Sequence, residues 1–141
     1  MTLLIDTSVI MYAGGAAHPH REACRGVLQQ VAAGTLEAAV SAEVVQEILH
    51  RFSRGDRDVG ARMARSVLDL FGTLVPVERA VMADVVARFT REGGLSARDA
   101  LHAATCAVHG FEGIVSVDQD FDGVPDVRRV PPDDLVRDPQ L

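Results

Sequence analysis

The sequence predicts an α/β fold with a mostly parallel sheet. Short apolar segments alternate with longer segments whose apolar residues recur at helical spacing, and no hairpin turn pairs join the short segments. This alternation favours strands connected by helices that cover the sheet. The length of 141 residues, with 48% hydrophobic content and few aromatic residues, suits one domain spanning residues 1–141 with an aliphatic core.

The first half of the chain predicts two strands and four helices. The predicted strands cover residues 2–5 and 36–40. The predicted helices cover residues 9–13, 18–33, 42–54 and 61–71, each with an apolar stripe. Polar residues 6–8 and Ser41 can cap the helices that follow them. Gly34 and Gly72 supply stops, and residues 55–60 predict a polar break.

The second half predicts three further strands and two helices. The strands cover residues 73–77, 113–117 and 127–130, and Pro76 favours a sheet edge for the first of them. The helices cover residues 78–91 and 96–108. Glycines at 93, 94 and 110 end these helices. The Pro131-Pro132 pair predicts the start of a polar tail at about residue 131.

Several classes of protein are disfavoured by composition. The apolar run at residues 3–5 is too short to span a membrane, and no signal peptide precedes it, so we expect a cytoplasmic protein without a membrane partner. Cys24 and Cys106 are far apart and lack CxxC spacing, which predicts buried packing rather than a zinc site or a disulfide.

The charge balance is acidic, and it gives no support to RNA binding by itself. The formal net charge is −6, and all fourteen basic residues are arginine. An acidic chain would ordinarily repel nucleic acid, because Lys and Arg contacts to phosphate drive that binding. The charge sum is misleading, however, if several of the carboxylates converge on bound cations.

Four carboxylates lie where predicted strands give way to helices, or in the first turns of helices. They are Asp6, Glu47, Asp99 and Asp118. Ligands of parallel α/β folds gather beyond the carboxyl ends of the strands. An acidic cluster without a lysine repels itself unless an external cation neutralises it. The sequence therefore predicts a divalent metal site.

Each carboxylate also has a structural alternative. Asp6 could cap the helix that follows it, and Asp99 with Ser96 fits a capping box. Glu43 shares a helix side with Glu47 and is the alternative ligand, although the helix dipole explains an acid at position 43. Asp118 could belong to a solvated acidic loop.

The histidines do not add a zinc site to these carboxylates, because they lack HxH and HExxH spacing. His102 lies one turn after Asp99, and a structural role is favoured for it.

Four segments resemble, in residue type and order, the acidic motifs of PIN-domain ribonucleases, especially VapC-type toxins of bacterial toxin–antitoxin pairs. They are residues 4–9 (LIDTSV), 41–49 (SAEVVQEIL), 95–104 (LSARDALHAA) and 114–122 (IVSVDQDFD). The resemblance covers nearly the whole chain. It implies a three-layer α/β/α sandwich with a mostly parallel central sheet.

The resemblance also implies a chemistry, a metal-dependent endoribonuclease using two-metal phosphodiester hydrolysis. By that likeness Asp6, Glu47, Asp99 and Asp118 are the catalytic acids. The metal ligands would be Asp6, Asp99 and Asp118 for Mg²⁺ or Mn²⁺, with Glu47, Asp120 and Asp122 as further candidates. Single-stranded or looped RNA is the implied substrate. Ser8 and Arg98 are the candidate substrate contacts.

The implied partners are a VapB-like antitoxin and a second copy of the chain. In such pairs a C-terminal antitoxin segment inserts an Arg or Lys among the toxin's carboxylates and displaces metal. The resemblance further implies a homodimer and a higher toxin–antitoxin assembly. The apolar helix faces after Ser41 and Ala61 could be interfaces, although core packing is the simpler interpretation.

Two other functions remain open at this level. One is a non-catalytic PIN-like module that binds RNA or protein, its acids serving as caps and surface charge. The other is a different Mg²⁺-dependent phosphohydrolase, but the dehalogenase-like and receiver types require further early acids and a lysine. Position 8 is serine, no lysine is present, and no P-loop motif occurs.

Overall fold

Five short strands form a parallel sheet in the computed structural model, which describes residues 2–91 and 94–137. The strands are β1 (Thr2–Ile5), β2 (Glu37–Ser41), β3 (Leu74–Val75), β4 (Gly113–Val115) and β5 (Arg129–Val130). Their order is β3-β2-β1-β4-β5, and every neighbouring pair is parallel. The predicted parallel sheet is confirmed, and β3 lies at an edge, as Pro76 indicated.

Helices connect successive strands as crossovers. Within the described residues they are α1 (Thr7–Gly14), α2 (Arg21–Ala33), α3 (Ala42–Phe52), α4 (Arg57–Leu70), α5 (Arg79–Phe89), α6 (Ala97–Val108) and α7 (Pro132–Arg137). A short 3₁₀ helix covers Gln119–Gly123. No helix in residues 2–91 or 94–137 is long and apolar enough to cross a membrane.

The helices lie on both faces of the sheet and make three layers. Side chains of β1 alternate between the faces. Leu3 and Ile5 pack with the buried residues of α1 to α4 and α7, whereas Leu4 packs with those of α6 and with Phe121. Helix α5 packs against α6 on that second face. The predicted α/β/α sandwich is confirmed, and residues of β1 and β4 pack in both cores.

The apolar stripes of α3 and α4 pack into the first core. Val44 and Ile48 of α3, and Ala64 and Val67 of α4, are all buried there. Core packing therefore accounts for these four positions of the predicted faces, whereas Leu49 and Leu68 of the same stripes are 46% and 48% exposed. The two cysteines are buried and unpaired, and burial raises the pKa of each thiol to about 11. Both thiols stay protonated at neutral pH and serve as packing groups, as predicted.

Three helices start two or more residues away from the prediction, and the first is α1, which begins at Thr7 rather than at residue 9. Helix α2 begins at Arg21 rather than at residue 18, because Pro19 disfavours helical backbone at His18. Helix α4 begins at Arg57 rather than at residue 61, so the polar break covers residues 53–56 and not the predicted 55–60. The Asp56 carboxylate accepts a hydrogen bond from the Val59 amide at 3.1 Å and caps the helix there.

The C-terminal third contains two elements that the sequence did not predict. The segment after Asp118, for which a solvated loop was the structural alternative, forms the 3₁₀ helix because Phe121 is fully buried and anchors it. The predicted polar tail instead forms α7, which packs on α2 with Pro132 and Leu135 buried. Helix α5 ends at Phe89, and the predicted stop at residues 92 and 93 lies outside the described residues.

Candidate metal centre

The acidic residues converge at the carboxyl edge of the sheet. Asp6 follows β1 directly, and its amide donates a hydrogen bond to the Val115 carbonyl at the end of β4, at 3.0 Å. The chain continues from β4 through Ser116 to Asp118. Because β1 and β4 are neighbours in the sheet, these two acidic segments emerge side by side.

Two serines hold the Asp6 carboxylate. Ser8 Oγ donates to Asp6 Oδ2 at 2.8 Å, and Ser116 Oγ donates to the same oxygen at 2.6 Å. The Ser116 hydroxyl also accepts from the Asp118 amide at 2.9 Å, and Ser8 Oγ accepts from the Val117 amide at 3.2 Å. The Asp6 side chain makes no capping bond to α1. The carboxylate is therefore fixed by the neighbouring strand segment rather than used as a helix cap.

Asp99, Asp118 and Asp120 each place a carboxylate oxygen within 4.8 Å of the others. Asp99 lies in the first turn of α6, where its amide donates to the Ser96 hydroxyl at 3.2 Å. The pKa of Asp99 is raised by burial and by the negative charges of Asp118 and Asp6. Burial is the larger cause of this raised pKa, and the like-charge part is what a bound cation would relieve.

A buried histidine joins Glu47 to Asp6. His102 on α6 is 1% exposed, and its Nε2 lies 3.6 Å from Asp6 Oδ1 and 3.5 Å from Glu47 Oε1. Neither ring nitrogen reaches hydrogen-bond geometry with any residue that the structure describes. Burial alone would lower the pKa of His102, but Glu47, Asp6 and Asp99 raise it above its usual value. The ring therefore favours a positive charge beneath the two carboxylates.

Glu47 is held in its ionised form by its surroundings. Burial raises its pKa, but contacts with His102, Thr7 and Arg51 outweigh burial and keep the pKa below the usual range. Arg51, one turn later on α3, places a guanidinium nitrogen 3.8 Å from Glu47 Oε2. Glu43, the alternative ligand, is only partly buried in the first turn of α3. The buried position of Glu47 against His102 favours it over Glu43.

Of the further candidate ligands, Asp122 lies apart from this cluster. The Asp122 carboxylate is bound by Arg129, whose Nε and terminal nitrogen lie 2.8 and 3.2 Å from its two oxygens. Asp120, by contrast, belongs to the cluster and was predicted as a weaker ligand than Asp118. Arg98 is exposed at the start of α6 and is accessible to solvent.

The donor set fits a hard divalent cation. The clustered ligand atoms are all carboxylate oxygens, and the thiols of the two cysteines lie in the cores. Oxygen ligands of this kind suit Mg²⁺ and Mn²⁺, whereas Zn²⁺ prefers nitrogen and sulfur. Asp99, Asp118 and Asp120 are the residues placed to hold such an ion, with Asp6 adjacent.

The sequence reasoning missed Ser116 and Arg51 and undervalued His102. Ser116 lies at the end of a buried strand, two residues before a candidate acid, which is a usable signal for a supporting hydroxyl. Arg51 follows Glu47 by four residues, the spacing of a helical ion pair. His102 gave no comparable signal, because its contact with Glu47 depends on how α6 packs beside α3.

Two features together indicate the class of this protein: the parallel α/β/α fold, and the cluster of carboxylate oxygens at the carboxyl edge of its sheet. Residues 3–127 match the model of the PIN domain. The chain therefore belongs to the PIN-domain family, as the four acidic motifs predicted. PIN-domain nucleases use divalent metal ions, and the acidic cluster is consistent with that property.

Two relatives are similar to the chain over most of its length. VapC ribonuclease Mb1869c of Mycobacterium bovis is 33% identical over 129 residues, covering 91% of this chain and 98% of the relative. Ribonuclease VapC7 of Mycobacterium tuberculosis is 35% identical over 133 residues, covering 93% and 92%. The fold also matches a crystal structure of VapBC2 from Rickettsia felis bound to a DNA fragment from its promoter. That match has a TM-score of 0.73 and 15% identity over 92% of this chain and 98% of the other.

Proposed function

We infer that this protein is a divalent-metal-dependent endoribonuclease, the toxin of a VapBC-type toxin–antitoxin pair. The observation that carries the proposal is the meeting of Asp99, Asp118 and Asp120 oxygens within 4.8 Å of one another, beside a buried Asp6. The ribonuclease names of relatives that align over about nine-tenths of the chain support the same activity.

The proposal assigns metal binding to Asp6, Asp99 and Asp118, with Asp120 as a further ligand. Asp122 is left out, because Arg129 already neutralises it. When bound, Mg²⁺ or Mn²⁺ supplies charge neutralisation at the scissile phosphate and lowers the pKa of water. With the metal ion in these two roles, the reaction requires no lysine from the chain.

Residues of the protein itself fix the orientation of the carboxylates in the site. Ser8 and Ser116 fix one oxygen of Asp6, which leaves Oδ1 facing His102. The buried His102 lies between Asp6 and Glu47, with Nε2 3.6 Å from Asp6 Oδ1 and 3.5 Å from Glu47 Oε1. The proposal assigns to Glu47, whose pKa is held below its usual range, the role of orienting a ligand or a water molecule.

Cleavage of purified total RNA tests the activity. Native protein freed of any copurified partner is compared with Asp6→Asn in Mg²⁺, in Mn²⁺ and in a chelator. Asp58→Asn is the matched control, because it removes the same charge from an exposed position in α4. We expect discrete fragments only from the native and Asp58→Asn proteins with metal. Cleavage that persists in Asp6→Asn or in the chelator would contradict the proposal.

A small antitoxin is the second partner in this proposal. An apolar groove between α1, α2 and α4 is lined by Ile10, Leu28, Met63 and Val67, with arginines at its edge. Such a groove suits a peptide helix with one apolar face. Coexpression with a cognate antitoxin of the VapB type should yield a complex of fixed stoichiometry by native mass spectrometry. A toxin that elutes alone would contradict this part of the proposal.

The proposal also includes a homodimer, for which α5 offers exposed apolar side chains. Val86 is 62% exposed and Phe89 is 60% exposed, although both are large and apolar. Light scattering of the purified protein should give twice the mass of the chain. Val86→Asp should shift that mass to one chain, because a buried carboxylate opposes association. A native protein that already has the mass of one chain would contradict the dimer.

A further inference from the structure

Three aromatic rings form a cluster between α1 and α2, next to the acidic site. Tyr12 is the single tyrosine of the chain, and its ring centroid lies 4.6 Å from that of His18 and 5.3 Å from that of His20. The two imidazoles are 5.2 Å apart. None of the metal chemistry described above uses these rings. The metal chemistry therefore does not explain why these three rings lie together.

The cluster is held in place rather than loosely attached. The His20 amide donates a hydrogen bond to His18 Nδ1 at 3.2 Å, which orients the exposed imidazole. Tyr12 is half-buried and packs against the first core. Packing alone would account for Tyr12, but it leaves His18 exposed to solvent beside it. A fixed, solvent-facing set of rings is a surface on which a planar group can stack.

Of the three rings, Tyr12 lines a pocket that reaches the acidic site. Its lining includes Tyr12, Arg51, Ser8 and Asp118. Ser8 holds Asp6 and Asp118 is a proposed metal ligand, so the pocket opens where a scissile phosphate would lie. Arg51 gives this pocket a guanidinium that is half-exposed and able to contact a second phosphate. One side of the pocket thus carries an aromatic ring and another carries a cation.

We propose that the rings of Tyr12, His18 and His20 form a base-stacking subsite for a nucleotide of single-stranded RNA adjacent to the cleaved bond. This proposal rests on the ribonuclease function inferred above. An unpaired base can turn its face onto an aromatic ring, whereas a base inside a duplex cannot. The subsite therefore selects single-stranded or looped RNA. Arg51 contacts a phosphate of the same strand and fixes its direction across the cluster.

A binding cycle tests the subsite without requiring cleavage. Two labelled probes of equal length, oligoadenylate and its abasic phosphoribose counterpart, are titrated onto protein that carries Asp6→Asn to prevent cleavage. We expect the probe with bases to bind roughly tenfold more tightly, since stacking contributes that much for a base on an aromatic ring. Tyr12→Phe should keep this ratio. Tyr12→Leu, which retains apolar bulk without a ring, should bring the ratio close to one.

His18→Ala provides a second variant that does not disturb the core, because the His18 side chain is exposed. It should reduce the base-dependent ratio about threefold. A ratio that is unchanged in both Tyr12→Leu and His18→Ala would overturn the subsite. Absence of metal-dependent cleavage by the native protein would instead overturn the ribonuclease proposal. The two failures are therefore distinguishable.

Discussion

Ser116 should control the affinity of the acidic site for metal, although it is not itself a proposed ligand. Its hydroxyl donates to Asp6 Oδ2 at 2.6 Å and accepts from the Asp118 amide at 2.9 Å. A single side chain thus sets the relative position of two proposed ligands that come from neighbouring strands. Ser116→Ala removes both contacts and leaves Ser8 as the remaining donor to Asp6.

The expected magnitude follows from these two contacts. Loss of a residue that orients metal ligands typically lowers metal affinity by about 10- to 100-fold, which corresponds to roughly 1.4 to 2.7 kcal/mol. The variant should also be less stable by about 1–3 kcal/mol, because a bond to a buried carboxylate and a bond to an amide are both lost. The loss of metal affinity in Ser116→Ala should exceed the loss caused by replacing any exposed serine with alanine. Ser66 is the matched control, because it is exposed and its hydroxyl donates, among the residues that the structure describes, only to the Arg62 carbonyl.

Isothermal titration calorimetry with Mn²⁺ measures the affinity of native protein, Ser116→Ala and Ser66→Ala, and thermal denaturation confirms that each remains folded at the assay temperature. The reasoning predicts weakened binding in Ser116→Ala alone. A folded Ser116→Ala protein with native Mn²⁺ affinity would show that the hydroxyl does not position the ligands. Equal weakening in Ser66→Ala would point to a nonspecific effect.

Three further predictions concern the stability of the fold. Arg88→Met should lower the free energy of unfolding by about 1–2 kcal/mol in urea denaturation. The buried guanidinium binds Asp84 and Asp126, and the value is reduced because Asp126 is half-exposed. Arg88 holds the pKa of Asp126 below its usual range, so this contribution is complete above about pH 5, where an unfolded aspartate is ionised, and is lost as the pH falls through the lowered folded-state pKa. The difference between native and Arg88→Met stability should therefore shrink in acid, and a constant difference would contradict the pairing. Gly60→Ala should lower the melting temperature, because an added Cβ would lie 2.5 Å from Phe52 Cβ. Overpacking of about 1–3 kcal/mol exceeds a gain of about 1 kcal/mol in helix propensity, and a stabilised variant would contradict this.

Much of the fold could be predicted because its signals are local. The buried strands β1 and β4 are short apolar runs that end at an acid or at polar residues, and Gly34 stops α2 in the left-handed conformation, with φ of 75°. Starts of helices were less predictable. Asp56 was interpreted as part of a polar break. An aspartate just before a helical segment is nonetheless an N-cap signal, because its carboxylate can accept a hydrogen bond from the amide three residues later.

The parts that could not be predicted depend on contacts between distant segments. Arg88 lies on the buried side of α5 near Val81 and Val85. Its pairing with Asp126, 38 residues later, adds to that with Asp84 on the same helix and makes the buried position stable. The buried state of His102 likewise depends on carboxylates from two other elements. Periodicity places each acid on an element but gives no distances between elements. The grouping of Asp120 with the other acids therefore required the structure.

The measurement that tests the central claim most directly is Mn²⁺ binding by Asp99→Asn and Asp122→Asn, followed calorimetrically beside the native protein. Both variants lose one carboxylate charge from the same end of the molecule, but only Asp99 belongs to the clustered oxygens, whereas Asp122 is bound by Arg129. The account predicts that Asp99→Asn loses Mn²⁺ binding and Asp122→Asn keeps it within about threefold of native affinity. Retained binding in Asp99→Asn, or equal loss in both variants, would contradict the assignment of the metal site.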